Sequence, residues 1–360
     1  METVEEILPF TKSCTGSVMV PGSKSISNRA LLLSCFSQNQ VTLHGVLKSQ
    51  DVELMIEALK KVGIKLEVNW DTNVLKVNGC KGIAPIKTGE IEVGNAGTVA
   101  RFLTAWLAIQ ENSNYLFDGS DEMRERPIGQ LLEFFESGGV DVCYTQKDGF
   151  FPFETNTKKF LPYEWTVDAT KSSQMLTALM MIAPLQGQTN TILFPHGTVS
   201  RPFLNISSEM IKDFSGDDEY SCIIEEEKLN IRAQYKRTKD YVYRVEPDAT
   251  AASYFLTLPL VVGGSCELHG IWDDMLQGDS GYSKILRALG AEISQGANGL
   301  ISNHKYNLEG GEYDFNDISD TFLTLVAVSP LLKSPLLITG IAHTRMQETD
   351  RVKAMAQELK

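Results

Sequence analysis

Hydrophobic and polar positions recur along this chain on a fixed plan. Several segments pass from small polar residues into a nearly unbroken apolar stretch. They are Ser23-Lys24-Ser25 before ALLLSCF, Gly94-Asn95-Ala96-Gly97-Thr98 before RFLTAWLAI, and Lys171-Ser172-Ser173 before QMLTALMMIA. Asp248-Ala249-Thr250 precedes AASYFLTLPLV, and Ser319-Asp320-Thr321 precedes FLTLVAV. Each predicts a helix apolar on most of its circumference, hence a buried one. A second series reads as amphipathic helix, glycine stop, then alternating strand: LMIEALKKVGIKLEV, LLEFFESGGVDVCY, the looser EMIKDFSGDDEYSCIIE, and ILRALGAEI. With residues 24, 97, 172, 248 and 320 as markers, the steps are 73, 75, 76 and 72. The glycines Gly63, Gly139, Gly216 and Gly290 step by 76, 77 and 74. Two unrelated markers on one period predict repeated α/β units of about 75 residues.

The first set of markers falls at expected helix N-termini, where backbone N–H groups point outward and the helix dipole is positive. Several such ends brought together suit anions. Net charge points the other way: 33 Lys and Arg against 46 Asp and Glu give −13. That balance disfavours nucleic acid and anionic membrane as partners. It leaves room for a local basic pocket that takes small anions. At 360 residues the chain has the length of a two-domain protein.

The opening METVEEILPF lacks the basic start and apolar core of a signal peptide, so a cytoplasmic protein is expected. Ser172 to Ser200 carries no Asp, Glu, Lys or Arg, but Gln174, Pro184, Gln186, Gly187, Asn190 and Pro195 make it a buried helix, turn and strand rather than a membrane span. Six cysteines, none closer than 21 residues to the next, predict reduced thiols and no CxxC site. Five histidines without HExxH or HxH spacing give no support for a metal.

Short motifs carry the candidate chemistry. Pro21-Gly22-Ser23-Lys24-Ser25-Ile26-Ser27-Asn28-Arg29 is not a Walker A loop, because five residues separate Gly16 from Gly22 and Ser23 precedes the lysine. It still sets Lys24, Ser25 and Arg29 at a helix start, either as a phosphate site or as a cap with solvated cations. The turn Gly94 to Arg101 has two glycines suited to close backbone approach. In DGSDEMRERPIG, Arg124 and Arg126 precede Pro127, a residue suited to the first helical position; the arginines either read an anion or pair with Asp121, Glu122 and Glu125. Ser172-Ser173-Gln174 is open between helix cap and ligand contact, and Asp320 between helix cap and general base. Glu348 and Arg351, three apart, are either a structural pair or an acid beside an anion-binding arginine.

Taken in order, PGSKSISNRALLL, GNAGT, RERPIG, SSQMLTAL, ISDTFLTL and QETDR resemble the 5-enolpyruvylshikimate-3-phosphate synthase family of enolpyruvyl transferases, from about Gly16 to the end of the chain. The resemblance implies an α/β protein of βαβαββ units in two domains, three units to a domain, with the active site in the interdomain cleft. On that pattern residues 21–245 form one complete domain, and 1–20 with 246–360 form the other. It also implies transfer of the enolpyruvyl group of phosphoenolpyruvate to the 5-hydroxyl of shikimate 3-phosphate, with release of phosphate and no metal or organic cofactor. Lys24, Ser25, Arg29, Ser172, Ser173, Gln174, Ser200, Asp320, His343 and Gln347 would face shikimate 3-phosphate. Lys24, Gly97, Arg126, Gln174 and Arg351 would face phosphoenolpyruvate. Asp320, Glu348 and Lys24 would be catalytic: Asp320 takes the 5-hydroxyl proton, while Glu348 and Lys24 serve the methylene carbon and the departing phosphate. A monomer with these two small molecules as its partners is expected.

Some positions depart from the family's commonest pattern. Phe203 stands for a frequent tyrosine, Gln347 for lysine, His343 for asparagine and Phe102 for proline. About five of six units are present, and the next glycine of the series falls due near residue 365. The family's final Asp-His-Arg motif and later lysine are not found, so an impaired fragment that binds shikimate 3-phosphate without processing it is the alternative expectation. A UDP-sugar enolpyruvyl transferase is a weaker one, since YLFDGSDEMRERP lacks the cysteine of that family's loop.

Overall fold

The computed structural model describes residues 8–162, 164–187, 189–347 and 349–360. The chain divides into two compact units, Met1–Val20 with Pro247–Lys360, and Pro21–Glu246.

Strand β1 (Cys14–Val18) precedes the first crossing. The Pro21–Glu246 unit then runs α1 (Lys24–Phe36), β2 (Gln40–His44), α2 (Gln50–Lys61), β3 (Leu66–Asn69) and β4 (Val74–Asn78). Next come β5 (Thr88–Glu92), α3 (Gly97–Ala108), β6 (Ser113–Asp118), the short α4 (Asp121–Arg124), α5 (Gly129–Ser137), β7 (Val140–Tyr144) and β8 (Phe153–Thr157). The last stretch is β9 (Trp165–Thr166), α6 (Ser173–Gln186), β10 (Thr189–Leu193), α7 (Pro202–Ser215), β11 (Ser221–Ile224), β12 (Lys228–Arg232) and β13 (Tyr241–Arg244).

Three sheets of this unit share one plan: a parallel pair, then two antiparallel strands. Their orders are β13-β2-β4-β3, β5-β6-β8-β7 and β9-β10-β12-β11. A buried helix links the parallel pair, α3 between β5 and β6 and α6 between β9 and β10. In the remaining sheet, α1 leads into β2, and the parallel partner is β13 from the far end of the unit, with Tyr241 opposite Val41. The sequence repeat therefore begins with a strand borrowed across about two hundred residues, a pairing slow to form but tolerated in stability, because loop entropy grows only logarithmically.

Helices α1, α3 and α6 are the apolar runs, and α3 packs against both of the others. Leu31, Leu32 and Leu33 are all 0% exposed, so α1 is covered on every side. Each such leucine contributes about 1.5–3 kcal/mol of burial. Outer helix α2 instead has an N-cap at Ser49, acids Asp51 and Glu53 in its first turn and Lys60 and Lys61 in its last, as the dipole favours. The stop glycines Gly63, Gly139, Gly216 and Gly290 have φ of 91°, 93°, 59° and 93°, a conformation that favours glycine. That common torsion is the structural basis of the second sequence period.

The other unit continues with α8 (Ala249–Val262), β14 (Gly264–His269), a 3-10 turn (Gly278–Gly281), α9 (Tyr282–Ala288), β15 (Glu292–Gln295) and β16 (Gly299–Asn303). Its sheet order is β1-β14-β16-β15, the same plan with β1 as the borrowed parallel strand and Cys14 opposite Gly264. Then β17 (Gly311–Asp314) and β18 (Leu336–Thr339) form a parallel pair, with α10 (Phe322–Val328) between them, and α11 (Arg351–Glu358) follows. Leu256, Leu268, Tyr282, Leu300, Phe315 and Leu325 centre its core.

Two local expectations change. Pro127 is not the first helical residue, because Ile128 is the N-cap of α5 and the helix starts at Gly129. Asp320 is not a cap, because Thr321 occupies that position of α10. All six cysteines are free thiols. Among the described residues no helix is long and apolar enough to cross a membrane, and no group of three or more His, Cys, Asp or Glu side chains is placed to hold a metal.

Candidate active site

In the Pro21–Glu246 unit the candidate groups cluster at the starts of the buried helices. Lys24 opens α1 and its Nζ lies 3.2 Å from Asp51 Oδ2. Ser25 Oγ is 3.3 Å from Ser23 Oγ. Arg29, one turn further on, is 2% exposed. Its Nε donates to Ser207 Oγ at 2.9 Å and its Nη1 to the Ser25 carbonyl at 3.2 Å. The Phe102 and Phe203 rings flank the guanidinium, with centroids 5.1 and 5.4 Å away. Burial pushes Arg29 down to about 9, which still leaves it charged at neutral pH. Phe203 thus offers this cation a ring face without a hydroxyl.

At the start of α3 no side chain caps the helix. Arg126 packs there so closely that a Cβ on Gly97 would stand 2.5 Å from its Nη2. The same guanidinium donates to the Asn95 carbonyl at 3.2 Å and Oδ1 at 3.4 Å. Arg101 braces this corner, reaching the Pro127 carbonyl at 2.7 Å and the Gly97 carbonyl at 3.5 Å. The two arginines of the RERP stretch part company: Arg124 pairs with Asp118 at 2.7 Å and Asp121 at 3.3 Å, while Arg126 lies against Gly97. Ser172 does cap α6, accepting the Gln174 N–H at 3.2 Å. Ser173 is buried, Gln174 half-buried, and Ser200 has φ 53° in the loop before α7.

In the other unit Asp320 Oδ1 accepts from Arg351 Nη1 at 2.8 Å. His343 Nε2 lies 3.0 Å from Ser319 Oγ. Burial lowers the His343 pKa, the Asp320 charge opposes that shift and Arg351 adds to it, which favours neutral imidazole. Gln347 Oε1 is buried with no hydrogen-bond partner among the described residues. Glu348 lies outside the described residues. Lys24, Arg29, Gly97, Arg126, Ser172, Ser173, Gln174 and Ser200 therefore belong to one unit, and Asp320, His343, Gln347 and Arg351 to the other.

Three participants carried no sequence signal. Asp51, an ordinary acid in the first turn of α2, pairs with Lys24. Ser207 sits mid-helix in α7, and only the 29-to-207 contact gives it meaning. Asn28 is fully buried with both amide atoms unpartnered among the described residues.

A family model for EPSP synthase (3-phosphoshikimate 1-carboxyvinyltransferase) matches residues 10–360. The chain belongs to the EPSP synthase family. A relative from Opitutus terrae, named 3-phosphoshikimate 1-carboxyvinyltransferase, is 40% identical over 98% of this chain and 79% of its own length. One of the same name from Serratia proteamaculans is 36% identical over 96% and 79%. Among solved structures, EPSP synthase from Acinetobacter baumannii superposes with a TM-score of 0.80 at 19% identity, covering 98% of this chain and 79% of that one. The enolpyruvyl transferase NikO from Streptomyces tendae gives 0.69 at 12% identity over 91% and 75%. At those identities the structures speak for the fold, which is the two-domain enolpyruvyl-transferase fold.

Proposed function

We propose that this chain transfers the enolpyruvyl group of phosphoenolpyruvate to the 5-hydroxyl of shikimate 3-phosphate, releasing phosphate. The observation that carries this reading is Arg126 laid against Gly97 at an uncapped helix start, a cation fixed where only a glycine leaves it room. Such a corner suits a compact anion such as phosphoenolpyruvate. Lys24, Gln174 and Arg351 complete that binding set. Lys24, Ser25, Arg29, Ser172, Ser173, Gln174 and Ser200, with Asp320, His343 and Gln347, hold shikimate 3-phosphate.

Asp320 accepts the 5-hydroxyl proton as that oxygen attacks C2 of phosphoenolpyruvate, and Glu348 with Lys24 delivers a proton to the methylene carbon. The resulting tetrahedral adduct then loses a proton from the methyl group and expels phosphate. No metal or organic cofactor enters this scheme. The chain acts in the cytoplasm as a monomer, without nucleic acid or membrane. The domain boundaries fall near Val20-Pro21 and Arg244-Pro247. A phosphate-release assay with both substrates tests the reading: release must require shikimate 3-phosphate, and release with phosphoenolpyruvate alone, or none with both, contradicts it.

A further inference from the structure

The proposed chemistry leaves one buried acid of the Met1–Val20 and Pro247–Lys360 unit unused. Asp279 lies in the Gly278–Gly281 turn and is 6% exposed. Its Oδ2 accepts from the Thr250 hydroxyl in the first turn of α8. Gln277 ties the same two segments together: its Oε1 accepts the Ala249 N–H at 3.0 Å and its Nε2 donates to Thr250 Oγ1 at 3.2 Å. The turn also lies against the segment that carries Asp320, since a Cβ on Gly281 would stand 3.4 Å from Ile318 Cγ2. Ser253 Oγ donates to the Thr250 carbonyl at 2.6 Å and meets Thr324 Oγ1 at 2.8 Å, linking α8 to α10. Asp279, Thr250 and the Asp320 segment thus form one packed block.

No Lys or Arg among the described residues pairs with Asp279. The charged groups that face it are carboxylates: Asp248 from the cap of α8 and Asp320 from the turn before α10. Arg351 pairs with Asp320 at 2.8 Å, and His343 feels the Asp320 charge. Burial first, then the Asp320 charge, pushes Asp279 up to about 8, against the weaker opposing effect of the Thr250 and Gln277 hydrogen bonds.

We propose that Asp279 is a positioning residue that works as a neutral carboxylic acid behind Asp320, and that a negative charge there weakens the site for anionic substrates. A second carboxylate in this block repels both phosphorylated ligands and raises the cost of the negative charge on Asp320. The inference rests on the role proposed for Asp320. Asp279→Asn tests it, because the amide keeps the shape and an acceptor for Thr250 but never ionises.

The first readout does not need turnover. An acid raised in the folded state gives stability that is present below the ordinary carboxyl pKa near 4 and lost as pH rises towards about 8. The Asn variant must therefore gain in Tm relative to the native chain across that window and hold a constant difference above it. A difference that stays constant from about pH 5 to about pH 9 overturns the proposal. The second readout is the KM for shikimate 3-phosphate, which rises up to about tenfold between pH 8 and 9 in the native chain and stays level in the variant. A Tm window without that difference in KM leaves Asp279 a merely structural acid and overturns the positioning role. If the native chain shows no turnover, the functional reading has failed separately, and the Tm series still decides whether Asp279 is neutral. Should the variant not fold, the 13C shift of the Asp279 carboxyl in the native chain must titrate near 8; titration near 4 overturns the proposal.

Discussion

Among the described residues, the Pro21–Glu246 unit buries a cation, Arg29, without a carboxylate partner, and the other unit buries a carboxyl, Asp279, without a cation partner. Arg29 is surrounded by two phenyl rings, a hydroxyl and a carbonyl, all neutral. Asp279 is surrounded by a hydroxyl, an amide and two further acids. Burial weakens the charge of both groups, but from different starting points. A guanidinium lowered to about 9 remains a cation at neutral pH, whereas a carboxyl raised to about 8 becomes an acid. Under the proposed roles, the first unit keeps a positive charge for a ligand, and the second gives up a negative charge that would oppose one. The difference teaches that an acidic protein can serve anions by rationing ionisation site by site, whatever its net charge.

Under the proposed function the division makes Arg29 a binding group and Asp320 the proton acceptor, and substitutions can break it. The largest effect is expected from Asp320→Asn. Losing a general base costs about 10²–10⁴ in kcat. Calorimetry should show shikimate 3-phosphate bound within a few-fold of the native affinity. A variant that keeps its kcat but loses the ligand would reverse the division. Arg29→Met comes next. A charge-assisted hydrogen bond is worth about 1.5–3 kcal/mol, so affinity for shikimate 3-phosphate should fall about 10- to 150-fold. Its Tm should not drop, because no buried counter-ion is stranded. A cooperative loss of folding would show that Arg29 serves the core instead.

Gly97→Ala is narrower. Its methyl would meet Arg126 Nη2 at 2.5 Å, so the guanidinium must move. KM for phosphoenolpyruvate should rise about tenfold, equivalent to about 1.4 kcal/mol, while shikimate 3-phosphate affinity holds. An equal loss for both ligands would mean that α3 itself had shifted. Ser207→Ala is the smallest, removing the 2.9 Å acceptor of Arg29 Nε for about 0.5–1.5 kcal/mol, a change of about two- to tenfold in shikimate 3-phosphate affinity.

Much of the architecture was legible because repeats expose it. Gly63, Gly139, Gly216 and Gly290 share a torsion that other residues avoid, so the sequence period and the helix stops are one fact. The helix starts were legible too, since small polar residues ahead of apolar runs mark N-termini. Roles at those starts were not. Ser172 is a true cap and Asp320 is not, although both stand just before a helix. One hydrogen-bond register separates them, and composition does not resolve it. Arg124 and Arg126 looked alike for the same reason, yet one is spent on Asp118 and the other lies on Gly97. The borrowed strands β1 and β13 were hidden because parallel partners need not be near in sequence. Asp279 was hidden because a buried acid is defined by its surroundings rather than by its neighbours in the chain.

The most direct test is single-turnover phosphate release, with the chain in excess over phosphoenolpyruvate and shikimate 3-phosphate added or withheld. Excess chain makes even slow chemistry visible. Release of one phosphate per phosphoenolpyruvate, only when shikimate 3-phosphate is present and abolished in Asp320→Asn, is the predicted result. Saturable binding of shikimate 3-phosphate without any phosphate release would contradict the transferase reading.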